Sequence, residues 1–323
     1  MLFLPQMSDK GLNGSFAFAQ TQIMSRSIRA CTFLDKGGTG KTTTAAHLGV
    51  ALAEQGNDVL LIDLAGKQGD LVKHFGRWET VERQIEEDDD WPNISTVFQD
   101  QWDAIAEKLG EAAVEDLVLE TDEGVDLIPA HPGLDSLDAE LGNIDDAQDR
   151  YSRLDSFLDE YIEPLGYDAI LIDLPGLTNN VSYNGLWAAR NVIAPVEMGP
   201  FESEQAEALR ADLDKIGANF DVDVELAMVL PNKVDTRTTL AEEYLDAFEG
   251  AYPEAFAPAH VPVSQDIRNA AESGRTAFAL EEPSTTAQRA RESFLENAEA
   301  LAERLASRER ESERAAPAGG ETA

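Results

Sequence analysis

Seven consecutive residues, Lys36-Gly-Gly-Thr-Gly-Lys-Thr42, place two lysines, three glycines and two hydroxyls on one short segment. That set suits an anion. Glycines let successive backbone N–H groups turn inward, and a helix starting near Lys41 aims the positive end of its dipole at the same point. Lys41 would reach the β- and γ-phosphates of a nucleotide, Thr42 would ligate magnesium, and Gly37, Gly38, Thr39 and Gly40 would line the cradle. The strict phosphate-loop pattern asks for glycine at position 35. This chain has Asp35 there, followed by an additional lysine, Lys36, at the loop entrance. Two acids, Asp63 and Asp173, close the apolar runs Asp58-Val-Leu-Leu-Ile-Asp63 and Asp168-Ala-Ile-Leu-Ile-Asp173. Such acids can simply cap strand ends, but two of them leaving apolar strands toward one loop point to a functional pair where ligands sit at strand carboxyl ends.

These residues need a scaffold, and the pattern of the chain supplies one. Ile28–Leu34, Asp58–Asp63 and Asp168–Asp173 read as buried parallel strands; Val192–Val196 and Val224–Leu230 repeat the pattern, with weaker runs at Val125–Ile128 and Ala259–Val263. Between them, Ala45, Leu48, Gly49, Leu52 and Ala53 share one helical face, as do Trp102, Ile105, Ala106 and Leu109. The expectation is an α/β fold: a mostly parallel twisted sheet with helices on both faces. Residues 1–27 read as a disordered leader, with Met24 a candidate start, residues 28–306 as one domain, and residues 307–323 as a charged, flexible tail. Phe294, Leu295, Ala298, Leu301, Ala302 and Leu305 mark a last helix packed on the core, and Glu86–Asp90 reads as a solvated acidic loop.

Composition excludes several classes. The 323 residues hold 62 Asp and Glu against 25 Lys and Arg, a net charge of -37, so bulk charge cannot coat nucleic acid and any DNA contact must be local. Only eight of the basic residues are lysine. Such a surface is tolerable where salt screens it, with a Debye length of about 3 Å at 1 M, which points to a salt-accumulating host. No apolar run approaches the roughly 18–20 residues of a membrane span. The single cysteine, Cys31, lies inside the first strand and reads as core, consistent with a reducing cytoplasm. His47, His74, His131 and His260 show no metal-ligand spacing.

The loop with its leading lysine resembles the variant Walker A motif of the ParA/MinD family of P-loop ATPases, and the resemblance runs from about Arg29 to Leu305. Val59–Asp63 followed by Gln68-Gly69 is similar to the family's first switch. Tyr167–Pro175 resembles its Walker B strand and second switch, Val229–Lys233 its adenine-side strand, and His260–Asp266 through Ala271–Gly274 its late segment. The resemblance implies an ATP- and Mg2+-dependent homodimeric switch with slow, partner-stimulated hydrolysis, in which Lys36 crosses the interface to the partner's phosphates. Lys36, Lys41 and Asp63 would be catalytic, Thr42 and Asp173 would hold magnesium, Asp173 through water, Thr43 would touch the α-phosphate and Asn232 would hydrogen-bond adenine. It further implies DNA partition or cargo positioning with a ParB-like or adaptor partner. Nonspecific DNA binding would use arginines drawn from Arg237, Arg268, Arg275, Arg289, Arg291, Arg304 and Arg308, which could equally pair with the abundant carboxylates.

Two departures bear on mechanism. The family's first switch commonly reads Asp-x-Asp-Pro-Gln-Gly; here Asp63-Leu-Ala-Gly-Lys-Gln-Gly69 puts Ala65 at the second acid and inserts a residue. Asp63, Gln68 or Asp70 would then position the attacking water, or the protein is a slow or nonhydrolysing ATP-dependent clamp. Gly176 follows Pro175 where a second proline is common, as a mobile switch glycine or a plain turn. A small-molecule amidation or carboxylation enzyme on the same scaffold is the alternative. The tail, with Arg alternating with Glu, lacks the bulky apolar residues of a membrane-binding helix.

Overall fold

The computed structural model describes residues 26–66, 69–87, 92–198, 210–211, 213–214, 217 and 222–315. Short β-branched and leucine-rich runs form the strands: β1 (Ile28–Thr32), β2 (Val59–Asp63), β3 (Leu119–Glu120), β4 (Asp126–Ile128), β5 (Ala169–Asp173), β6 (Asn191–Glu197) and β7 (Glu225–Asn232). Every residue of β2 and β5 is buried, as expected of strands covered on both faces. The seven strands lie in the order β3-β4-β2-β5-β1-β6-β7, parallel throughout except for β3 against β4. The chain reaches the two neighbours of β1 by crossovers, so the crevice at its carboxyl end is where this topology opens a ligand site.

Helix α1 (Lys41–Glu54) covers one face, packed against α2 (Asp70–His74) and a long terminal helix, Thr285–Ala315. Ala45, Leu48 and Leu52 of α1 meet Phe294, Ala298 and Leu301 in one core layer. The second layer gathers Trp102, Leu134, Leu154, Phe157 and Leu186 on the opposite face of the sheet. Each such side chain contributes about 1.5–3 kcal/mol on leaving water. Among the described residues no helix is long and apolar enough to cross a membrane.

Three boundaries differ from the sequence expectation. The leader's first 25 residues lie outside the described residues, but Arg26 and Ser27 belong to the fold: Ser27 donates from its N–H and hydroxyl to Glu163. Beside them Arg29, 4% exposed, is held by Asp155, Asp159 and Glu163. The terminal helix does not stop near Ser307 but runs to Ala315, because Arg and Glu are good helix formers and Arg308 docks on Glu225 and Asn191. Ala259–Val263 is not a strand. It makes one isolated bridge, Val234 to Pro262, flanked by hydrogen bonds from Val261 N–H to the Pro231 carbonyl and from Val263 N–H to the Val234 carbonyl. Of the acidic run, residues 88–90 lie outside the described residues.

Candidate functional site

The loop leaving β1 is shaped by backbone conformation. Gly38 and Gly40 adopt φ of 82° and 93°, the left-handed region that glycine enters without a Cβ penalty. At Gly40 a Cβ would also lie 2.4 Å from Asn232 Nδ2. Gly40 is the N-cap of α1 and offers no side-chain cap, so the first N–H groups of the helix remain for an anion. Lys41 is 8% exposed and donates from Nζ to the Lys36 carbonyl at 2.7 Å, leaving two further N–H groups for phosphate oxygens. Burial pulls its ammonium down, while Asp173 and Asp35 oppose that pull. Lys36 is half-buried at the loop mouth beside exposed Gly37 and Gly38; Thr39 is buried, and Thr42 and Thr43 are half-buried on the first turn of α1.

Strand register puts Thr32, Asp173 and Asp63 in one row across β1, β5 and β2. Thr32 donates its hydroxyl to Asp173 Oδ1 at 2.7 Å, and Thr42 donates to the same carboxylate. Asp63 Oδ1 accepts the Ala65 N–H at 2.8 Å. The remaining oxygen of each acid, Oδ2, is buried without a hydrogen-bond partner. Burial pushes both carboxyls up. For Asp63 the Asp173 charge adds to the rise, against the N–H groups of Ala65 and Leu71; for Asp173 the hydroxyls of Thr42 and Thr32 and then Lys41 oppose it. Two orphaned carboxylate oxygens with a threonine hydroxyl at hand form a hard-oxygen donor set that fits Mg2+, which binds through one or two carboxylates plus phosphates and water. Among the described residues there is no cluster of three His, Cys, Asp or Glu to cage a metal alone.

On the other flank, β7 braces the loop. Asn232, 5% exposed, donates from Nδ2 to the Thr39 carbonyl at 2.8 Å and accepts the Lys233 N–H on Oδ1 at 2.9 Å. Lys233 Nζ bridges the Gly38 carbonyl and Glu197.

Residues 30–226 match the family described as "AAA domain". The chromosome partitioning protein ParA of Caulobacter vibrioides is 30% identical over 242 residues, 74% of this chain and 82% of that protein. The chain belongs to the ParA/MinD family of P-loop ATPases. The chromosome-partitioning ATPase Soj of Thermus thermophilus is 31% identical over 208 residues, 64% of this chain and 70% of that protein. Two solved structures share the fold. Cobyrinic acid a,c-diamide synthase of Mycobacterium smegmatis, with bound ADP and magnesium, superposes with a TM-score of 0.62 at 24% identity, covering 87% of this chain and 96% of that one. McdA of Cyanothece superposes at 0.64 and 20% identity, covering 85% and 98%.

Against ParA/MinD members, the first-switch departure has a structural context. Ala65 is half-buried and supplies only its N–H, Gln68 lies outside the described residues, and Asp70 opens α2, ion-paired with Lys73 at 3.5 Å. The charge of Asp70 reaches both Asp63 and Asp173. Gly176 owes its identity to close approach: a Cβ there would lie 2.8 Å from Lys41 Nζ and 3.1 Å from the Lys36 carbonyl. Two residues on, the Thr178 hydroxyl donates to Asp35 at 3.3 Å, tying the segment after β5 to the loop.

Several of the seven arginines considered for DNA are committed elsewhere. Arg291 donates to the Ala277 and Leu280 carbonyls, and Arg304 to those of Ala227, Ala255 and Phe256, and both are half-buried. Arg237 forks onto Asp235 and Arg308 pairs with Glu225; Arg268, Arg275 and Arg289 stay exposed. Two of the four histidines pack against each other. His47 and His74 meet edge to face at 6.1 Å, with His47 Nδ1 on the Thr43 carbonyl at 2.7 Å and Nε2 accepting the Ala277 N–H at 3.0 Å. Sequence reasoning also missed Thr32, whose partner Asp173 lies 141 positions away.

Proposed function

We propose that the protein is an ATP-dependent dimeric switch that acts in DNA partition or in positioning another cellular cargo. The observation that supports this best is the row Thr32–Asp173–Asp63, with one unpartnered oxygen on each acid, beneath a loop that carries Lys41 inside and Lys36 at its mouth. Mg2+ held by the Thr42 hydroxyl and, through water, by Asp173 would neutralise charge between the β- and γ-phosphates. Lys41 and the α1 N–H groups bind the phosphate oxygens, with Thr43 on the α-phosphate. Asn232 has one N–H and one lone pair left for adenine. Lys36 reaches the γ-phosphate bound by a second copy, so triphosphate binding and dimerisation are coupled electrostatically.

Hydrolysis needs a water held in line. Asp63 is suited to orient it, since its Oδ2 is unpartnered and burial raises its affinity for a proton. With Ala65 in place of a second acid, turnover is slow and accelerated by a partner of the ParB or adaptor type. Arg268, Arg275 and Arg289 are the arginines available for nonspecific DNA contact.

Light scattering in molar KCl with magnesium tests the switch. A dimer with ATP, a monomer with ADP, and no dimer for Lys36→Ala with either nucleotide is the expected result. A wild-type monomer under both conditions would overturn it and favour a small-molecule amidating enzyme on the same scaffold.

A further inference from the structure

Three successive carbonyls of the phosphate loop are held from outside it. That of Gly38 accepts from Lys233 Nζ, that of Thr39 from Asn232 Nδ2 at 2.8 Å, and that of Gly40 from the Thr44 N–H at 2.8 Å in the first turn of α1. A trans peptide points its N–H opposite to its C=O, so fixing the Gly38 and Thr39 carbonyls on the β7 side turns the N–H groups of Thr39 and Gly40 away from it. The backbone agrees with that arrangement. Gly38 and Gly40 take left-handed φ of 82° and 93° with Thr39 between them outside that region, the alternation that gathers successive N–H groups into an anion-binding concavity.

Lys233 makes its contact from a strained position. Among the described residues only Arg190 and Lys233 are non-glycine residues at positive φ. Arg190 ends the helix Asn180–Ala189, where a left-handed residue is common. Lys233 follows a strand instead, and its φ of 54° carries a steric cost that a glycine would not have. The conformation sends Nζ back to the Gly38 carbonyl and to Glu197 Oε1 at 2.7 Å, and Glu197 stands opposite Asn232 in the β6–β7 register. The ion pair by itself does not repay the strain. Its side chains are 43% and 40% exposed, and pairs so exposed add little stability, less still in salt. What remains to account for the strained backbone is the hold on the loop.

We propose that Lys233, steadied by Glu197, is a positioning residue for the nucleotide: it fixes the peptide between Gly38 and Thr39 so that the Thr39 N–H faces the phosphates. This rests on the nucleotide-binding reading of the loop and adds to it a residue that acts through the loop backbone. Strain and function then have opposite signs at one position. Glycine at 233 relieves the backbone but frees the Gly38 carbonyl, so the fold keeps its stability while the cradle loses an aligned donor.

Two measurements on the full chain separate these signs: calorimetric titration with a nonhydrolysable ATP analogue in magnesium and molar KCl, and urea unfolding in the same salt without nucleotide. K233G is expected to bind the analogue about tenfold more weakly, the size of one misdirected hydrogen bond to a charged group, while unfolding at the same or a higher urea concentration than wild type. The exchange variant K233E/E197K keeps an ion pair between the two positions but has no donor at 233 for the Gly38 carbonyl, and should bind as weakly as K233G. Wild-type affinity in K233G, or in the exchange variant, overturns the positioning role and leaves the nucleotide site intact. Affinity and stability falling together in K233G also overturns it, because the residue then serves the fold. No binding of the analogue by wild type overturns the nucleotide reading, and the positioning role with it.

Discussion

Asp63→Asn removes a buried acid while keeping the oxygen that accepts the Ala65 N–H, and its effect on stability can be worked out from the site. Burial, and then the neighbouring Asp173 charge, push the Asp63 carboxyl from an ordinary 3.8 up to about 8. In the unfolded chain it titrates in the ordinary range, so between roughly pH 4 and 8 the folded state keeps a proton that the unfolded state has released. A group raised in this way stabilises fully below its unfolded value, and that stabilisation is lost as pH rises through the folded one. Each pH unit inside the window is worth about 1.4 kcal/mol, so from pH 6.5 to 8 the loss is about 2 kcal/mol. The net charge of -37 adds a downward slope of its own, which the variant shares closely and molar salt screens. Urea unfolding in molar KCl with EDTA, for wild type and D63N across that range, isolates the acid. Wild type should lose about 2 kcal/mol more than the variant, and parallel slopes for the two proteins would refute the argument.

Below pH 6.5 the histidines act in the opposite sense. Burial holds His47 down to about 3 and His74 down to about 4, so both are neutral in the folded state, and their contribution to stability falls as pH drops below 6.5 because the unfolded chain takes up protons first. His74 Nδ1 is buried without a partner, so between pH 6.5 and 4.5 His74→Leu should change in stability by up to about 3 kcal/mol relative to wild type, in the favourable direction, in the same urea assay; parallel pH profiles would count against it. Asn232→Ala strands the Thr39 carbonyl and should cost about 1–3 kcal/mol, with weaker ATP binding by calorimetry; unaltered stability would show that the brace is dispensable.

Local chemistry was readable where neighbours in the chain do the work. The phosphate loop announces itself because glycines and a lysine must lie within a few residues of one another to wrap an anion, and Gly38 and Gly40 adopt the backbone that only glycine takes easily. The strands ending in Asp63 and Asp173 were equally visible from apolar runs closed by an acid. The antiparallel edge strand β3 was not, since two residues carry no period. Ala259–Val263 misled because an apolar run shows burial, not hydrogen bonding, and this run makes a single isolated bridge. The terminal helix was read short at Leu305 because its last turns lack an apolar face; helix propensity and the docking of Arg308 extend it.

Sequence alone showed the family, and it marked the glycine-rich loop with its two lysines and the acids that close two strands, because each depends on residue type and short spacing. The strand order decided the rest. Only with β5 between β1 and β2 do Thr32, Asp173 and Asp63 stand in one row, and only the packed chain brings His74 to His47, Gly176 onto Lys41, and Asn232 onto Thr39. Periodicity shows which side of a strand or helix is buried. It does not show which distant segment will cover it, and that pairing is what turns two strand-end acids into one site.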